Sequence, residues 1–312
     1  MYKLRPYEPR DAAAVAELMK LVFPYSITAE DIAAWHKTAT AEPKNIFTAL
    51  VAVDEADLPV GSCHPGHYDG MPEGLFDGGV SVYPDHRARG VGRMLWAAVE
   101  QFAREHGATG LQASCKGDDE ASFAWAQRRG FVLDRVRTEA VLDLTAWNGS
   151  RFAGQVERVQ AAGIRLLAIA KSEAEPYLRG MYDVETATWP DIPIWQGTVQ
   201  SRESWEREWR NSVEPMMIAL ALDGDTVVGS SILGLPRERG GQAGTHFTGV
   251  LKAYRGRGVA LALKLLTIEA ALAAGAVIMR TNNDPDNPPM LRVNEKLGYT
   301  MVPGPKRLKK IL

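Results

Sequence analysis

The sequence predicts two α/β domains in tandem, of which the second repeats the first. At 312 residues the chain is longer than one hydrophobic core usually organises, so two domains of ordinary size are expected. A long series of identities recurs at one fixed offset along the chain. Within each copy, apolar strands alternate with amphipathic helices, which is the pattern of an α/β domain.

The repeat is visible when the chain is aligned with itself, without a gap, at an offset of 168 positions. Val60-Gly61-Ser62 then coincides with Val228-Gly229-Ser230. RARGV at Arg87–Val91 coincides with RGRGV at Arg255–Val259. Because the period has the size of a domain, it indicates a duplicated domain and not a solenoid of short repeats.

We place the boundary between the copies near residue 150, which gives an N-terminal domain at 1–150 and a C-terminal domain at 151–312. Before the boundary, Val136–Leu144 alternates apolar and polar residues as a strand does. After it, Arg151–Ala162 predicts a connecting helix. The first domain opens with a strand and a helix over Asp11–Val22, for which Asp11 is the expected N-cap.

Composition excludes several classes of protein. A net charge of −2 provides no basic field for nucleic acid or an anionic membrane, so neither partner is expected. Two cysteines, Cys63 and Cys115, rule out a disulfide scaffold and suit a reducing compartment, which predicts a cytoplasmic protein. We expect neither a signal peptide nor a membrane span, because no apolar run is long enough for either.

In both copies a strand leads into a glycine-containing loop that opens a helix. In copy one, Gly79–Pro84 precedes the loop Asp85–Gly92, and the following helix is amphipathic. Such a helix start offers free N–H groups and a positive dipole end to an anion. Gly90 and Gly92 can equally make only a tight turn. Neither copy has the lysine of a Walker A loop or the third glycine of a dinucleotide fingerprint.

Both loops resemble the pyrophosphate loop of the GNAT superfamily, at Arg87–Gly92 and Arg255–Ala260. Ser122–Phe131 resembles the terminal helix of that family, and Thr281–Tyr299 resembles a common variant of it. The resemblance implies that each copy is a mixed, mostly antiparallel sheet flanked by helices, in a tandem layout similar to that of mycothiol synthase-like proteins. It also implies acetyl transfer from acetyl-CoA to a primary amine of a small molecule or peptide, by direct attack in a ternary complex.

The resemblance assigns acetyl-CoA contacts in both copies. Strand backbone groups would pair with the pantetheine arm, and loop N–H groups would hold the pyrophosphate. The loop arginines add charge-assisted contacts, unless they are ordinary surface residues. The implied cofactor-binding residues are Val80, Val82, Arg87, Arg89, Gly90, Val91, Gly92 and Arg93 in copy one, and Val250, Arg255, Arg257, Gly258, Val259, Ala260 and Asn287 in copy two.

The family often places its general base on the strand before the loop, and copy two has His246 there, on the same face as Thr248 and Val250 if the strand pairs regularly. An ordinary pKa of about 6.5 suits that role, although a strand histidine with a purely structural hydrogen bond remains an alternative. The fixed offset sets Gly78, which has no side chain, opposite His246. The neighbouring Asp77 would point to the other face of the strand, so copy one has no obvious base at this point. Copy two is therefore predicted to be catalytic and copy one to be a degenerate partner.

Other positions depart from the family. The usual tyrosine of the last helix is replaced by Ala126 and Asn294, so the proton donor to the thiolate is open. Asp119 stands opposite Asn287, which indicates drift in copy one. Tyr182–Asp191 is interpreted as a loop that either receives a cationic amine or is simply solvated.

Metal and covalent catalysis are not expected. Cys63, His64 and His67 lack a fourth ligand for zinc, and no cysteine occupies a motif position. One competing hypothesis is a catalytically silent acyl-CoA-binding or sensor protein. Another is a nucleotide-binding regulator, which would require ATP or NAD to compete with acetyl-CoA. A monomer and a homodimer are both compatible with the sequence.

Overall fold

The computed structural model describes residues 1–22, 27–192, 195 and 197–312. The chain divides into two compact units that are not continuous in sequence. Unit 1 contains residues 1–136, 198–213 and 304–312, and unit 2 contains residues 137–197 and 214–303. The boundary near residue 150 stays a prediction about the extent of the two copies.

The strands are β1 (Lys3–Pro6), β2 (Ile46–Phe47), β3 (Leu50–Val53), β4 (Pro59–Cys63), β5 (Gly66–His67), β6 (Leu75–Asp77), β7 (Val80–Val82), β8 (Gly110–Cys115), β9 (Val132–Asp143), β10 (Arg165–Ala170), β11 (Met216–Asp223), β12 (Thr226–Gly234), β13 (Gln242–Val250), β14 (Ile278–Asn283) and β15 (Thr300–Ile311). The helices are α1 (Ala12–Lys20), α2 (Ala29–Ala41), α3 (Val91–Glu105), α4 (Glu120–Gln127), α5 (Gln155–Ala161), α6 (Leu178–Thr188), α7 (Arg202–Asn211), α8 (Val259–Ala273) and α9 (Pro288–Leu297).

Unit 1 has two groups of paired strands. One is β1-β3-β4-β7, and the other runs from β2 through β5 and β6 to β8, with the end of β15 beside β8. Only β6 and β8 are parallel among these pairs. Because successive side chains of β3 point to opposite faces, Ala52 packs in a core with Leu95 of α3, and Val51 packs in a second core with Val15 of α1. Helices therefore cover both faces, as the resemblance predicted.

Unit 2 repeats this architecture. Its strands β10, β11, β12 and β13 pair antiparallel, β13 and β14 are parallel, and residues 138–143 of β9 complete the sheet antiparallel to β14. Leu263 and Ile268 of α8 are fully buried against the sheet. The prediction of a mixed, mostly antiparallel sheet with flanking helices is confirmed in both copies.

Asp11 does not cap α1 as predicted. Its carboxylate accepts hydrogen bonds from the Arg5 guanidinium at 2.7 and 2.8 Å and from the Glu8 backbone N–H at 2.8 Å. Asp11 itself has a helical backbone conformation, which turns its side chain back toward the preceding 3-10 turn. An ion pair with a strand residue therefore replaces the expected cap.

Two other local predictions are wrong. The helix expected from Arg151 begins only at Gln155, because Gly154 has a left-handed backbone with φ of 75°. The segment Tyr182–Asp191 is not a loop, since α6 extends to Thr188 and a 3-10 turn follows it. The buried residues Met181, Val184 and Thr188 lie at the helical spacing of an apolar face.

Candidate functional site

In unit 1 the segment from Leu75 to Val82 pairs with one neighbouring strand over its first half and with another over its second half. We call the point at which the pairing changes the fork. Its first half, β6, pairs parallel with β8 up to Asp77 opposite Gln112. Its second half, β7, pairs with β4 on the other side. Gly78 and Gly79 lie between the halves, and the Gly78 N–H still donates to the Gln112 carbonyl at 2.9 Å. Beyond this point no described residue of β7 pairs with β8, and we call the space between these two strand edges the opening.

The backbone of β7 presents polar groups to this opening. The Tyr83 backbone N–H donates to the Val60 carbonyl at 3.0 Å. Because the residues that bond to the partner strand alternate along an antiparallel ladder, the N–H and C=O groups of Val80 and Val82 point away from β4. The Val82 carbonyl accepts a hydrogen bond from Arg87 Nε at 3.1 Å. Val80 and Val82 therefore have backbone groups that are free of β4, and the Arg87 side chain links the loop to the strand; the pantetheine contacts stay a prediction.

Unit 2 has the same arrangement. Strand β13 pairs with β14 only from Gln242 to Thr245 and continues along β12 to Val250. Arg255 Nε donates to the Val250 carbonyl at 2.8 Å. Its Nη2 also contacts the Asp191 carboxylate at 2.6 Å. Asp191, one of the acids expected to receive a cationic amine, thus binds the loop arginine instead.

Glycine is required at the start of both helices. Gly90 and Gly258 are the N-cap residues of α3 and α8, with φ of 92° and 82°, a region that L side chains rarely adopt. The loop residues Ala88 and Gly256 are also left-handed, with φ of 58° and 74°. A Cβ at Gly90 would meet no atom within 4 Å, whereas one at Gly258 would collide with Gln155 Nε2.

The remaining predicted loop residues lie in the loops or in the first turn of the following helix. Val91 and Val259 are buried and anchor the two helices in their cores. The Arg257 guanidinium lies 5.4 Å from the centre of the Tyr254 ring. Residues in this class are Arg89, Val91, Gly92 and Arg93 in unit 1, and Arg257, Val259 and Ala260 in unit 2.

Asn287 and Asp119 cap equivalent helices. The Asn287 side chain accepts a hydrogen bond from the Met290 N–H at 3.4 Å at the start of α9. Asp119 accepts one from the Ser122 N–H at 2.9 Å at the start of α4. The two residues therefore share a capping role, and the interpretation of Asp119 as drift at a cofactor contact stays a prediction.

His246 is an extra residue in β13. Ile232 pairs with Phe247 and Leu233 pairs with Thr245, so His246 forms a β-bulge between them. The expectation that His246 follows the regular strand parity is therefore wrong. It stands directly after Thr245, the last residue of β13 that pairs with β14, which puts it at the fork. Bulges commonly re-aim a side chain beside a functional site.

The bulge also changes the correspondence between the copies. Gly66 pairs with Asp77 in unit 1, and Gly234 pairs with Gly244 in unit 2. Strand pairing thus makes Asp77 equivalent to Gly244, while the gapless offset set it opposite Thr245. His246 consequently has no counterpart at Gly78, because one residue is inserted at the fork of unit 2.

Glu214 holds the His246 imidazole, a partner that the sequence did not reveal. The distance from His246 Nε2 to Glu214 Oε1 is 2.9 Å, and the two side chains are 40% and 34% exposed. A Cβ at Gly234 would overlap both side chains, so this glycine makes room for the pair. A carboxylate that accepts from Nε2–H leaves Nδ1 as the basic nitrogen of the ring.

Unit 2 buries several polar side chains near its fork. Copy one has apolar side chains at the equivalent positions. Asn294, at the vacant tyrosine position, donates to Asn283 Oδ1 at 2.8 Å. The Lys264 ammonium lies 5.1 Å from the centre of the Tyr299 ring, and Lys264 is only 1% exposed. The equivalent residues of copy one are Trp96, Cys115, Ala126 and Phe131, all buried in its core.

Of the three side chains considered for zinc, Cys63 is free and buried, and His67 Nδ1 lies 2.9 Å from the Leu75 carbonyl. Cys115 is also free and buried. Within the described ranges, no three His, Cys, Asp or Glu side chains form a group that could hold a metal ion. The described part of the chain also includes no helix that is long and apolar enough to span a membrane.

Comparison with known proteins identifies the family. The model of the Acetyltransferase (GNAT) family matches residues 12–131 and 178–299, which together make up most of the chain. The chain belongs to the GNAT acetyltransferase family. Both matches include a fork, a left-handed glycine and the helix that follows it, so the family assignment applies to each copy.

Two acetyltransferases resemble the chain over most of its length. The mycothiol acetyltransferase of Clavibacter sepedonicus is 27% identical over 253 residues, which cover 81% of this chain and 77% of that protein. The mycothiol acetyltransferase of Clavibacter michiganensis subsp. michiganensis is also 27% identical over 253 residues, covering 80% and 76%.

Solved structures share the tandem GNAT fold. A tandem GNAT protein from the clavulanic acid biosynthesis pathway superimposes with a TM-score of 0.78 at 20% identity, covering 100% of this chain and 98% of that one. A GCN5-related N-acetyltransferase from Sphaerobacter thermophilus has a TM-score of 0.62 at 18% identity, covering 99% and 95%. At these identities the likeness concerns the fold alone.

Proposed function

We propose that this acetyltransferase moves an acetyl group from acetyl-CoA to a primary amine of a small molecule or peptide, and that unit 2 carries the reaction. The observation that carries the proposal is the hydrogen-bonded pair of His246 and Glu214 at the fork of β13 and β14. The acyl donor is supported by the two loops, whose left-handed glycines open helices beside strands with outward-facing polar groups.

The residues present fit acetyl-CoA. The N–H groups of the first two residues of α3 and of α8 have no acceptor earlier in their own helices and suit a pyrophosphate, whereas the Arg93 N–H already donates to the Gly90 carbonyl at 3.1 Å. Val80, Val82 and Val250 offer backbone groups to an extended arm in the manner of an added strand. Acetyl-CoA, when bound, supplies the thioester that the amine attacks.

The chain supplies the base. An alkyl amine with a pKa of about 10.4 is almost entirely protonated at neutral pH, so a group that removes its proton raises the reactive fraction. We assign that role to Nδ1 of His246. Glu214 fixes the tautomer through Nε2 and stabilises the imidazolium that forms, and positioning of this kind is how a carboxylate assists a catalytic histidine.

Calorimetric titration with acetyl-CoA tests the donor. We expect two saturable sites in the intact protein, one of which is lost in Gly90→Glu and the other in Gly258→Glu, because each change brings a carboxylate to the helix start. A single site that disappears only in Gly258→Glu would restrict the donor to unit 2. No binding to the intact protein would overturn the proposal.

Turnover of His246→Ala tests the base. We expect the rate of amine acetylation to fall about 100-fold, with the affinity for acetyl-CoA unchanged, since the cofactor contacts lie elsewhere. Unchanged turnover would remove His246 from the mechanism. The competing hypothesis, a silent acyl-CoA-binding protein, predicts saturable binding without acetylation of any amine in a screened set.

A further inference from the structure

Unit 2 has a group of polar side chains inside its core, on the α8 side of the sheet. We call Thr245, Lys264, Asn283, Asn294 and Tyr299 the polar cluster. Each has a buried polar atom without a hydrogen-bond partner among the described residues, namely Thr245 Oγ1, Lys264 Nζ, Asn283 Nδ2, Asn294 Oδ1 and Tyr299 Oη. Unpaired polar groups in a core cost free energy, so their concentration at one place indicates a functional role.

The register of the strands puts the polar cluster at the fork. Thr245 pairs with Leu233, which lies in the core under α8, and paired residues point to the same side of a sheet. Asn283 points to that side too, because it follows the core residue Met279 at an even interval along β14. Thr245 is the last residue of β13 to pair with β14, so the cluster borders the fork.

Contacts inside the cluster lead from Lys264 to Thr245. Lys264 Nζ lies 5.1 Å from the centre of the Tyr299 ring. Burial raises the pKa of Tyr299, and the Thr245 hydroxyl opposes this effect, so the two hydroxyls are neighbours although neither makes a well-aligned hydrogen bond. Lys264, Tyr299 and Thr245 therefore lie in succession from the interior of α8 to the fork.

Lys264 can exchange a proton near neutral pH. Burial lowers the pKa of its ammonium from 10.5 to about 7. No charged side chain of the described residues contributes to this shift, and Tyr299 is the titratable group that faces the ammonium. A thiol has an ordinary pKa of about 8.5, so the protonated lysine is an acid strong enough to give a proton to a thiolate.

The base of the proposed function lies on the other face of the sheet. Gly234 follows Leu233 along β12, so a side chain at Gly234 would point away from α8. That side chain would overlap His246. The fork therefore has the His246 imidazole on one face and the polar cluster on the other. This arrangement suits a reaction in which an amine loses a proton on one face and a sulfur gains a proton on the other.

We propose that Lys264 is the proton source of unit 2 and gives the leaving thiolate of CoA its proton through the Thr245 hydroxyl, which rests on the proposed function. An N–H bond of the ammonium breaks, the hydroxyl accepts that proton and donates its own, and an S–H bond forms as the C–S bond of the thioester breaks. Lys264 becomes a neutral amine and regains a proton from water. The polar cluster thus takes the role for which the last helix has Asn294 instead of a tyrosine.

Ultraviolet titration of bound CoA tests this proposal without turnover. The thiolate absorbs light that the thiol does not, so the difference absorbance against pH gives the midpoint at which bound CoA loses its thiol proton. A protonated Lys264 stabilises the thiolate, so this midpoint should rise by about one pH unit or more in Lys264→Met. Unit 1 contributes the same titration to both proteins.

A matched control removes an exposed lysine from the same unit. Lys296→Met lies in the last turn of α9 and should leave the midpoint where it is in the intact protein, because an exposed charge is screened by solvent. A midpoint that is equal in the intact protein, Lys264→Met and Lys296→Met would overturn the proposal.

The pH dependence of kcat is a second test. An acid acts only while it is protonated, so kcat of the intact protein should fall at high pH. In Lys264→Met, kcat at neutral pH should be lower by about tenfold or more, and the fall at high pH should disappear. A fall that persists in Lys264→Met would overturn the proposal.

Thr245→Val covers the case in which Lys264→Met fails to fold. It removes the hydroxyl and keeps the shape, so it should lower kcat to a similar extent, and an unchanged kcat would also overturn the proposal. Both variants should bind acetyl-CoA in calorimetry as the intact protein does. Absence of binding to the intact protein would overturn the proposed function, whereas binding and turnover that both variants leave unchanged would overturn only the proton source.

Discussion

His246 and Glu214 form a hydrogen-bonded pair, with 2.9 Å between Nε2 and Oε1. Glu214 lies just before β11, and His246 is the bulge residue of β13. The strand between them, β12, ends at Gly234, where a side chain would overlap both partners. The pair therefore depends on a bulge in one strand and a missing side chain in the next.

Glu214→Gln keeps the hydrogen-bonding shape and removes the charge that stabilises a protonated imidazole. We expect turnover of the amine to fall about tenfold, with the affinity for acetyl-CoA unchanged, as measured by steady-state rates and calorimetry. Glu173→Gln, a charge change at an exposed residue of the same unit, is the matched control. Equal turnover in Glu214→Gln and Glu173→Gln would contradict a positioning role.

Gly234→Ala should separate the pair without changing either partner. The new Cβ would occupy the space of the His246 and Glu214 side chains, so we expect a loss of turnover similar to that of Glu214→Gln. Combining both substitutions should add little further loss, since the two act on one interaction. Additive losses in this double-mutant cycle would show that Gly234 acts through something else.

The two loop glycines should tolerate alanine to a similar degree. Gly90→Ala places a side chain at a φ of 92° in open space, so its cost is the left-handed strain of about 1 kcal/mol. Gly258→Ala has a φ of 82°, and its Cβ would come close to Gln155 Nε2, the movable end of a long side chain, so it should cost about the same. Chemical denaturation of the two variants measures this. A clearly larger loss in Gly258→Ala, relieved by adding Gln155→Ala, would show that the Gln155 side chain cannot move aside.

Lys264 should destabilise unit 2 in a pH-dependent way. Burial lowers the pKa of its ammonium from 10.5 to about 7, so between those values the unfolded chain binds more protons than the folded one. Stability should rise with pH over this window. Lys264→Met should abolish the rise and, at pH 7, stabilise the protein by about 1–3 kcal/mol. Parallel pH profiles for both proteins in thermal denaturation would contradict this prediction.

The C-terminal strand should stabilise unit 1, although most of that unit lies far away in sequence. Leu308 of β15 pairs with Ala113 of β8 and is 1% exposed in the unit 1 core. Leu308→Ala should destabilise unit 1 by about 2–5 kcal/mol. Hydrogen exchange should accelerate in β8, while the amides of β14 keep their protection. Met301→Ala, at an exposed residue of β15, should change neither strand.

Local patterns predicted the repeated architecture because their causes are local. The helix starts at Gly90 and Gly258 follow from a backbone conformation that glycine adopts freely. Strand alternation over Val136–Leu144 identified most of β9, which begins four residues earlier and ends at Asp143. A lone lysine in the apolar helix α8 was also visible in the sequence. The sequence did not show that this lysine is buried, because burial depends on what packs against the helix.

The sequence by itself determined the duplicated domain, its elements and the loop that suits a phosphate, since each depends on neighbouring residues or on one constant offset. Tertiary structure decided the rest. His246 lies in a β-bulge, so regular strand alternation did not predict the face to which its side chain points. Glu214 contacts His246 only because strand pairing brings the two residues together. Thr245 and Asn283 of the polar cluster likewise share a face only when β13 and β14 are in register, because contacts across a sheet join residues that no local pattern links.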